Sequence, residues 1–142
     1  MDYAALKTLI TSQTGTPAEI AAWANTPSLP VVGMVPRSIF SMWCGSTGLR
    51  GAIEDIAVTT GHPLRAIALT VLDFLRGGVA EALDFADPRN QMMLGAWVQA
   101  GALTQAQADD LIALATTLQS PAEHAGLGVV HAGDVQNALE IG

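Results

Sequence analysis

The sequence predicts an all-α fold, a compact bundle of seven or eight short helices. Two observations lead to this prediction. Apolar residues recur at helical spacing in several segments of the chain. Three of these segments begin with a capping residue followed by proline, and several end at glycine. With 142 residues, the chain has the length of one domain and can bury a real core. We therefore expect residues 1–142 to form a single helical domain.

The clearest helix start lies near the N-terminus, in the sequence TPAE. Thr16 is the predicted N-cap, Pro17 takes the first helical position, and Glu19 completes a capping box. The helix that follows is expected to end before Pro27. Ahead of it, DYAALKTLITSQ has the apolar spacing of a helix that stops near Gly15.

Residues 26–36, TPSLPVVGMVP, form an apolar connector that contains three prolines. The prolines disfavour a regular helix or a central strand. The segment is also too apolar for a simple solvated linker. Its residues either lie over the core or form an arm that reaches a neighbouring protein. The candidate partner contacts here are Pro30, Val31, Val32, Met34 and Val35.

Three helices are predicted in the middle of the chain. RSIFSMWCG is expected to be a short helix closed by Gly45, and TGLRGAIEDIAVTTG a helix that ends at Gly61. HPLRAIALTVLDFLRGG is expected to start at Pro63 and is apolar around most of its circumference, which is typical of a helix at the centre of a bundle. Residues 79–86 are ambiguous between a short helix and irregular chain.

Residues 87–118 predict a helix hairpin with a very short connection. Asp87 caps the first helix and Pro88 starts it, while Thr104 and Gln107 form the capping box of the second helix. Apolar residues of the two helices, including Met93 and Leu94 in the first, are expected to face each other.

Residues 120–142 are expected to form a C-terminal cap of short helices. The sequence SPAE, which begins at Ser120, repeats the pattern of TPAE, and two glycines then stop the helix early. Val129 and Val130 form a short extended piece and are the second candidate partner contact. A final short helix follows, with Asp134 in its first turn or at its cap.

The composition predicts association with other protein. Half of the residues are hydrophobic and only 13% are charged, against about 25% in ordinary soluble domains. Apolar surface facing partners would explain this balance, although abundant alanine could also inflate the hydrophobic count. The net charge of −7 disfavours nucleic-acid binding, which requires clustered Lys and Arg.

The sequence also predicts no membrane span and a reducing compartment. The most apolar run, at residues 66–75, is too short to cross a bilayer and contains Asp73. The single cysteine, Cys44, cannot form an internal disulfide. No export signal is visible in MDYAALKTLI, so we expect synthesis in the cytoplasm.

A metal or cofactor site is not expected from the sequence. His124 and His131 are seven residues apart with Glu123 beside them, but zinc needs three or four converging ligands. The remaining histidine, His62, precedes a proline at a predicted helix start. Glu123 is explained by its place in the capping pattern.

No enzyme signature is found either. Cys44 has no local motif that pairs it with a base, so a buried and inert thiol is expected. The carboxylate pairs Glu54–Asp55 and Asp109–Asp110 occupy adjacent helical positions, which point about 100° apart. We interpret them as solvated helix faces and predict a protein without catalytic activity.

The C-terminal half resembles a group of short helical proteins encoded among the virion and tail genes of tailed bacteriophages and prophages. The resemblance covers residues 88–139 and rests on MMLGAWVQAGALTQAQADDLIALA, SPAEHAGLGVV and GDVQNAL. The chain departs from those proteins at Pro121, where they usually carry arginine, and at His124, where they carry a second acidic residue. Both departures remove charge from this helix start.

The resemblance implies a non-enzymatic structural or adaptor protein of a tailed-phage virion, made in the host cytoplasm. Its expected partners are other phage structural proteins or copies of itself, with the tail or fibre attachment region as an expected location. The alternative is a small acidic phage protein that binds and inhibits a host factor. Neither role requires a cofactor, a nucleic acid or a membrane.

Overall fold

The computed structural model describes residues 1–141 and shows that the all-α prediction is wrong. Helices dominate, but four short strands form two small sheets, each of two strands. Each strand has only three or four residues, and β-pairing depends on a partner elsewhere in the chain. No local periodicity in the sequence reveals such short strands.

In chain order, the helices and strands are α1 (Tyr3–Ile10), α2 (Pro17–Asn25), β1 (Leu29–Val32), β2 (Met34–Pro36), α3 (Arg37–Thr47), α4 (Leu49–Ala57), α5 (Arg65–Leu75), β3 (Ala82–Asp84), α6 (Pro88–Gln99), α7 (Gln105–Ala115), β4 (Thr116–Gln119), α8 (Pro121–His124) and α9 (Ala132–Leu139).

The chain divides into two compact units. The first consists of Met1–Val31 together with the C-terminal segment from Thr117 onward, and the second of Val32–Thr116. Strands β1 and β4 pair with each other. The expectation that residues 1–142 behave as one domain stays a prediction.

In the first unit, α1 and α2 pack against α8 and α9. The predicted capping box of α2 is confirmed: the Glu19 N–H donates to the Thr16 hydroxyl at 3.2 Å, and the Thr16 N–H donates to the Glu19 carboxylate at 3.3 Å. Ser120 caps α8 by accepting the Glu123 N–H at 3.1 Å. The buried core of this unit consists of Leu6, Ile10, Ile20, Ala21, Ala24, Ala122, Val130, Val135 and Ala138.

The second unit is built around an aromatic cluster. The Phe40 ring centroid lies 5.7 Å from that of Trp43, 5.7 Å from that of Phe74 and 6.4 Å from that of Phe85. These distances are within the range of favourable aromatic pairs. The cluster joins α3 to α5 and to the chain that follows β3.

Strands β2 and β3 explain two segments that the sequence left open. They pair antiparallel, with Met34 opposite Asp84 and Pro36 opposite Ala82. The proline-rich connector therefore contributes strands, which proline permits because each belongs to a two-stranded sheet with free edges. Residues 79–86, which were ambiguous between helix and irregular chain, contain strand β3.

Several predicted boundaries are also corrected. Helix α5 begins at Arg65, because Pro63 lies in a turn in which His62 Nδ1 accepts the Leu64 N–H at 3.0 Å. This helix buries one side only, and Leu69 on its other side is 47% exposed, so it does not run through the centre of a bundle. The hairpin of α6 and α7 is present, but α7 stops at Ala115, where the chain enters β4.

Helix α3 passes through Gly45 and ends at Thr47, three residues later than a helix closed by Gly45 would end. Gly48, with φ of 77°, adopts the left-handed conformation that ends the helix. The local sequence offers two glycines three residues apart, and only the backbone conformation distinguishes their roles.

This correction predicts opposite effects for two glycine substitutions. Gly45→Ala should raise the free energy of unfolding by about 0.5–1 kcal/mol, because alanine favours the helix interior. Gly48→Ala should lower it by about 1 kcal/mol, because a Cβ disfavours the left-handed conformation. A Cβ added at either position meets no atom within 4 Å, so packing does not obscure the comparison. Urea unfolding of both variants measures the two changes, and the reverse order would place the helix end at Gly45.

Candidate interaction surfaces

The connector residues that were predicted to contact a partner lie in different environments. Pro30 and Met34 are exposed, Val31 and Val32 are half-buried, and Val35 is buried in the core of the second unit. Neighbouring side chains of a strand point to opposite faces, which explains the difference between Met34 and Val35. Val35 is therefore removed from the candidate contact surface, while the exposed residues stay candidates.

The second predicted contact, at Val129 and Val130, is divided in the same way. Val130 is 1% exposed and belongs to the core of the first unit, whereas Val129 is 67% exposed. Asn25, at the end of α2, fixes this arrangement. Its amide Nδ2 donates to the Val130 carbonyl at 2.7 Å, and its Oδ1 accepts the Val130 N–H at 2.9 Å. Val130 therefore cannot contact a partner, and Val129 can.

The sequence did not indicate the role of Asn25. This residue lies 105 residues from Val130, and an asparagine at the end of a helix has no local feature that predicts such a pairing. Its two hydrogen bonds satisfy both backbone groups of buried Val130. Burying these groups without partners would destabilise the fold.

An apolar groove of about 480 Å³ lies between α5 and α6 in the second unit and is called the α5–α6 groove. Arg89 contributes the charged side chain of its lining, and Met92 at its edge is 73% exposed. The lining residues are Ala66, Ile67, Thr70 and Val71 from α5, and Arg89, Met92, Met93 and Ala96 from α6. Met93, which was expected to face α7, thus lines the groove shared with α5.

A fully exposed valine lies on the loop that follows α5, residues 77–80, which we call the Val79 loop. Arg37 holds this loop on both sides of Val79: its Nη2 donates to the Gly78 carbonyl at 2.6 Å and also to the Ala80 carbonyl. The Arg37 guanidinium carbon lies 5.3 Å from the Phe74 ring centroid, within the range of a cation–π contact. The loop is therefore anchored to the aromatic cluster, and Val79 points into solvent.

The environment of Cys44 does not favour a nucleophilic thiol. Its side chain is fully buried, and this burial raises the pKa of the thiol from 9.0 to about 12, with the positive charge of Arg50 acting more weakly in the opposite direction. Nucleophilic attack requires the thiolate, which is scarce at neutral pH when the pKa is this high.

The other candidates for chemistry are dispersed. His124 and His131 are both exposed, and the His131 N–H donates to the Asp134 carboxylate at 2.9 Å, as a helix start requires. Across residues 1–141, no group of three or more His, Cys, Asp and Glu side chains is close enough to hold a metal ion. The carboxylate pairs are exposed, and two of their members have local partners: Glu54 pairs with Arg50, and Asp109 accepts from Gln105.

Within the described part of the chain, none of the helices has both the length and the apolar character that crossing a bilayer requires. No protein-family model matches this chain, and neither a curated protein nor a solved structure matches it. The resemblance to tailed-phage proteins over residues 88–139 therefore stays a prediction.

The two hydrogen bonds from Asn25 to the backbone of Val130 predict that replacing Asn25 lowers the stability. Asn25→Ala should lower the free energy of unfolding by about 2–3 kcal/mol, because it leaves the N–H and the carbonyl of buried Val130 without partners. Asn137→Ala is the matched control, since Asn137 is exposed and donates only one hydrogen bond of 3.3 Å to the Tyr3 hydroxyl. If urea unfolding shows equally small losses of unfolding free energy for the two variants, the Asn25 hydrogen bonds do not stabilise the fold as predicted.

The buried thiol predicts slow labelling and a pH-dependent stability. At pH 8, a thiol reagent should modify native Cys44 at least about 100-fold more slowly than the same residue in denaturant. Above pH 9 the unfolded thiol releases its proton while the folded thiol keeps it. The free energy of unfolding of the wild type should therefore fall, relative to Cys44→Ala, as the pH rises from 9 towards 12. Rapid labelling of the native protein, or a difference that is independent of pH, would contradict the buried thiol.

Proposed function

We propose that this chain is a non-enzymatic structural or adaptor protein of a tailed-phage particle. It packs in several copies or against a larger structural protein of the particle, with the tail or fibre attachment region as the proposed location. Its partners are other phage structural proteins, copies of itself, or both, and the contacts are made by apolar side chains.

The observation that carries the proposal is the number of large apolar side chains left in solvent. Val58, Val79 and Met92 are each at least 73% exposed, and Val129 is 67% exposed. Single exposed apolar residues are common on protein surfaces, but here they accompany an apolar groove and a low content of charge. Apolar surface of this kind is typical of proteins that associate with others.

The resemblance over residues 88–139 supplies the phage context. The hairpin of α6 and α7 and the short helices α8 and α9 are the elements that carry this resemblance. The groove is formed in part by α6, so an apolar surface coincides with the segment that resembles the phage proteins.

A second candidate function is supported by the distribution of charge. The first unit carries five carboxylate side chains and one lysine, and the second carries eight carboxylates and five arginines, so both units are acidic. An acidic unit of this kind suits a basic surface on a partner. The alternative proposal is therefore a small acidic phage protein that binds and inhibits a host factor.

Quantitative mass spectrometry of purified particles distinguishes the two proposals. A structural or adaptor protein should be present at a fixed number of copies per particle, and this number should persist through gradient purification and a high-salt wash. A host-factor inhibitor should instead be lost from the particles and recovered from infected cells in a stoichiometric complex with a host protein.

The control in this experiment is an abundant host protein measured in the same samples. If the chain falls in proportion to that contaminant at each purification step, it is not part of the particle. That result would overturn the structural proposal.

A further inference from the structure

The Val79 loop is unusual because it presents an apolar side chain at a position where turns normally carry polar residues or glycine. Val79 is fully exposed, and it follows the two glycines that end α5. An apolar side chain gains nothing by facing water in this way. Its exposure is explained if another protein covers it.

The loop is also held in place at a cost. Arg37 is the residue that holds it, and the Nε of Arg37 is buried without a hydrogen-bond partner among residues 1–141. Leaving such a donor unsatisfied costs free energy. A loop that is already ordered loses less conformational entropy on binding than a mobile one. The arrangement therefore favours insertion of Val79 into an apolar site.

The α5–α6 groove is an apolar site of this kind on the same unit. It lies along the first half of α5, whereas the Val79 loop follows the opposite end of that helix. A helix of eleven residues is roughly 16 Å long, so loop and groove are separate surfaces. A second copy of the chain thus carries a groove that matches the chemistry of this loop.

The charges beside the two surfaces are complementary. Arg76 and Glu81 flank the loop, are exposed, and form no ion pair within residues 1–141. Arg89 lines the groove and forms an ion pair of 2.8 Å between its Nη2 and Asp87 Oδ2, yet its side chain is 88% exposed. The exposed guanidinium of Arg89 is therefore accessible to the carboxylate of Glu81 from a second copy.

We propose that the Val79 loop of one copy docks in the α5–α6 groove of a second copy. This inference deepens the proposed function and rests on it, because it identifies the surfaces through which copies of the chain pack. Val79 contacts the apolar lining near Met92, and Glu81 of the loop lies towards Arg89 of the groove. The contact joins two different surfaces, so each copy carries one loop and one groove.

Two single substitutions and their mixture test the contact. Val79→Asp and Met92→Asp should each weaken self-association on the order of 100-fold, because each places a charge in an apolar interface. Both positions are exposed in the single chain, so neither change should disturb folding. Met42→Asp is the matched control, since Met42 on α3 is as exposed as Met92. This variant should self-associate like the wild type.

The mixture is the decisive sample. Val79→Asp keeps an intact groove and Met92→Asp keeps an intact loop, so an equimolar mixture should form a 1:1 dimer although each variant alone is monomeric. Sedimentation velocity measures the dimer. The salt concentration should be about 0.15 M or above, because the Debye length is then about 8 Å or less and repulsion between two chains of net charge −7 is screened.

Three outcomes would overturn the inference. They are a wild type that stays monomeric at about 1 mM, a mixture that stays monomeric, and a Met42→Asp variant that loses association as the other two do. None of these results would show that the protein is absent from the particle. Mass spectrometry of purified particles tests that question separately. Conversely, self-association of a chain that is absent from particles would support the contact and overturn the structural function.

Discussion

The shortness of the helices is the constraint on which the rest of this structure depends. The longest helix within residues 1–141 has twelve residues, and isolated helices of this length are marginal in water. Each helix also leaves unsatisfied N–H groups at one end and carbonyls at the other. Side chains must therefore supply many caps, as Thr16, Asp87, Thr104 and Ser120 do at helix starts. At the end of α4, Arg65 Nε donates to the Ala57 carbonyl at 3.0 Å.

This constraint accounts for most of the polar residues that could be mistaken for a reactive site. Ser120, Glu123, His131 and Asp134 lie close together in the sequence and include the residue types of many catalytic sites, yet Ser120 and Asp134 bond to backbone N–H groups that start α8 and α9. His62 similarly accepts a backbone N–H in the turn before α5. These polar groups thus serve the backbone at helix starts and turns.

Two polar side chains control how those apolar residues are presented, one in each unit. Asn25 bonds to the backbone of Val130, which buries that valine and leaves its neighbour Val129 in solvent. Arg37 bonds to the carbonyls on both sides of Val79, which leaves Val79 fully exposed. In both cases a long-range hydrogen bond to the main chain fixes a short irregular segment. Each segment is thus tied to the rest of its unit, although it lies outside regular secondary structure.

The sequence by itself determined where most helices begin, because a cap such as Thr16 or Thr104 acts on a backbone N–H three residues away. It also predicted contacts at residues 30–35 and 129–130, but it gave no signal for the Val79 loop or the α5–α6 groove. Only the tertiary structure decided that Gly48 rather than Gly45 ends α3, and that the connector forms strands, since these depend on backbone conformation and on distant pairing partners. The division of each segment into buried and exposed residues was likewise decided by packing, because the groups that fix it are far away in the chain.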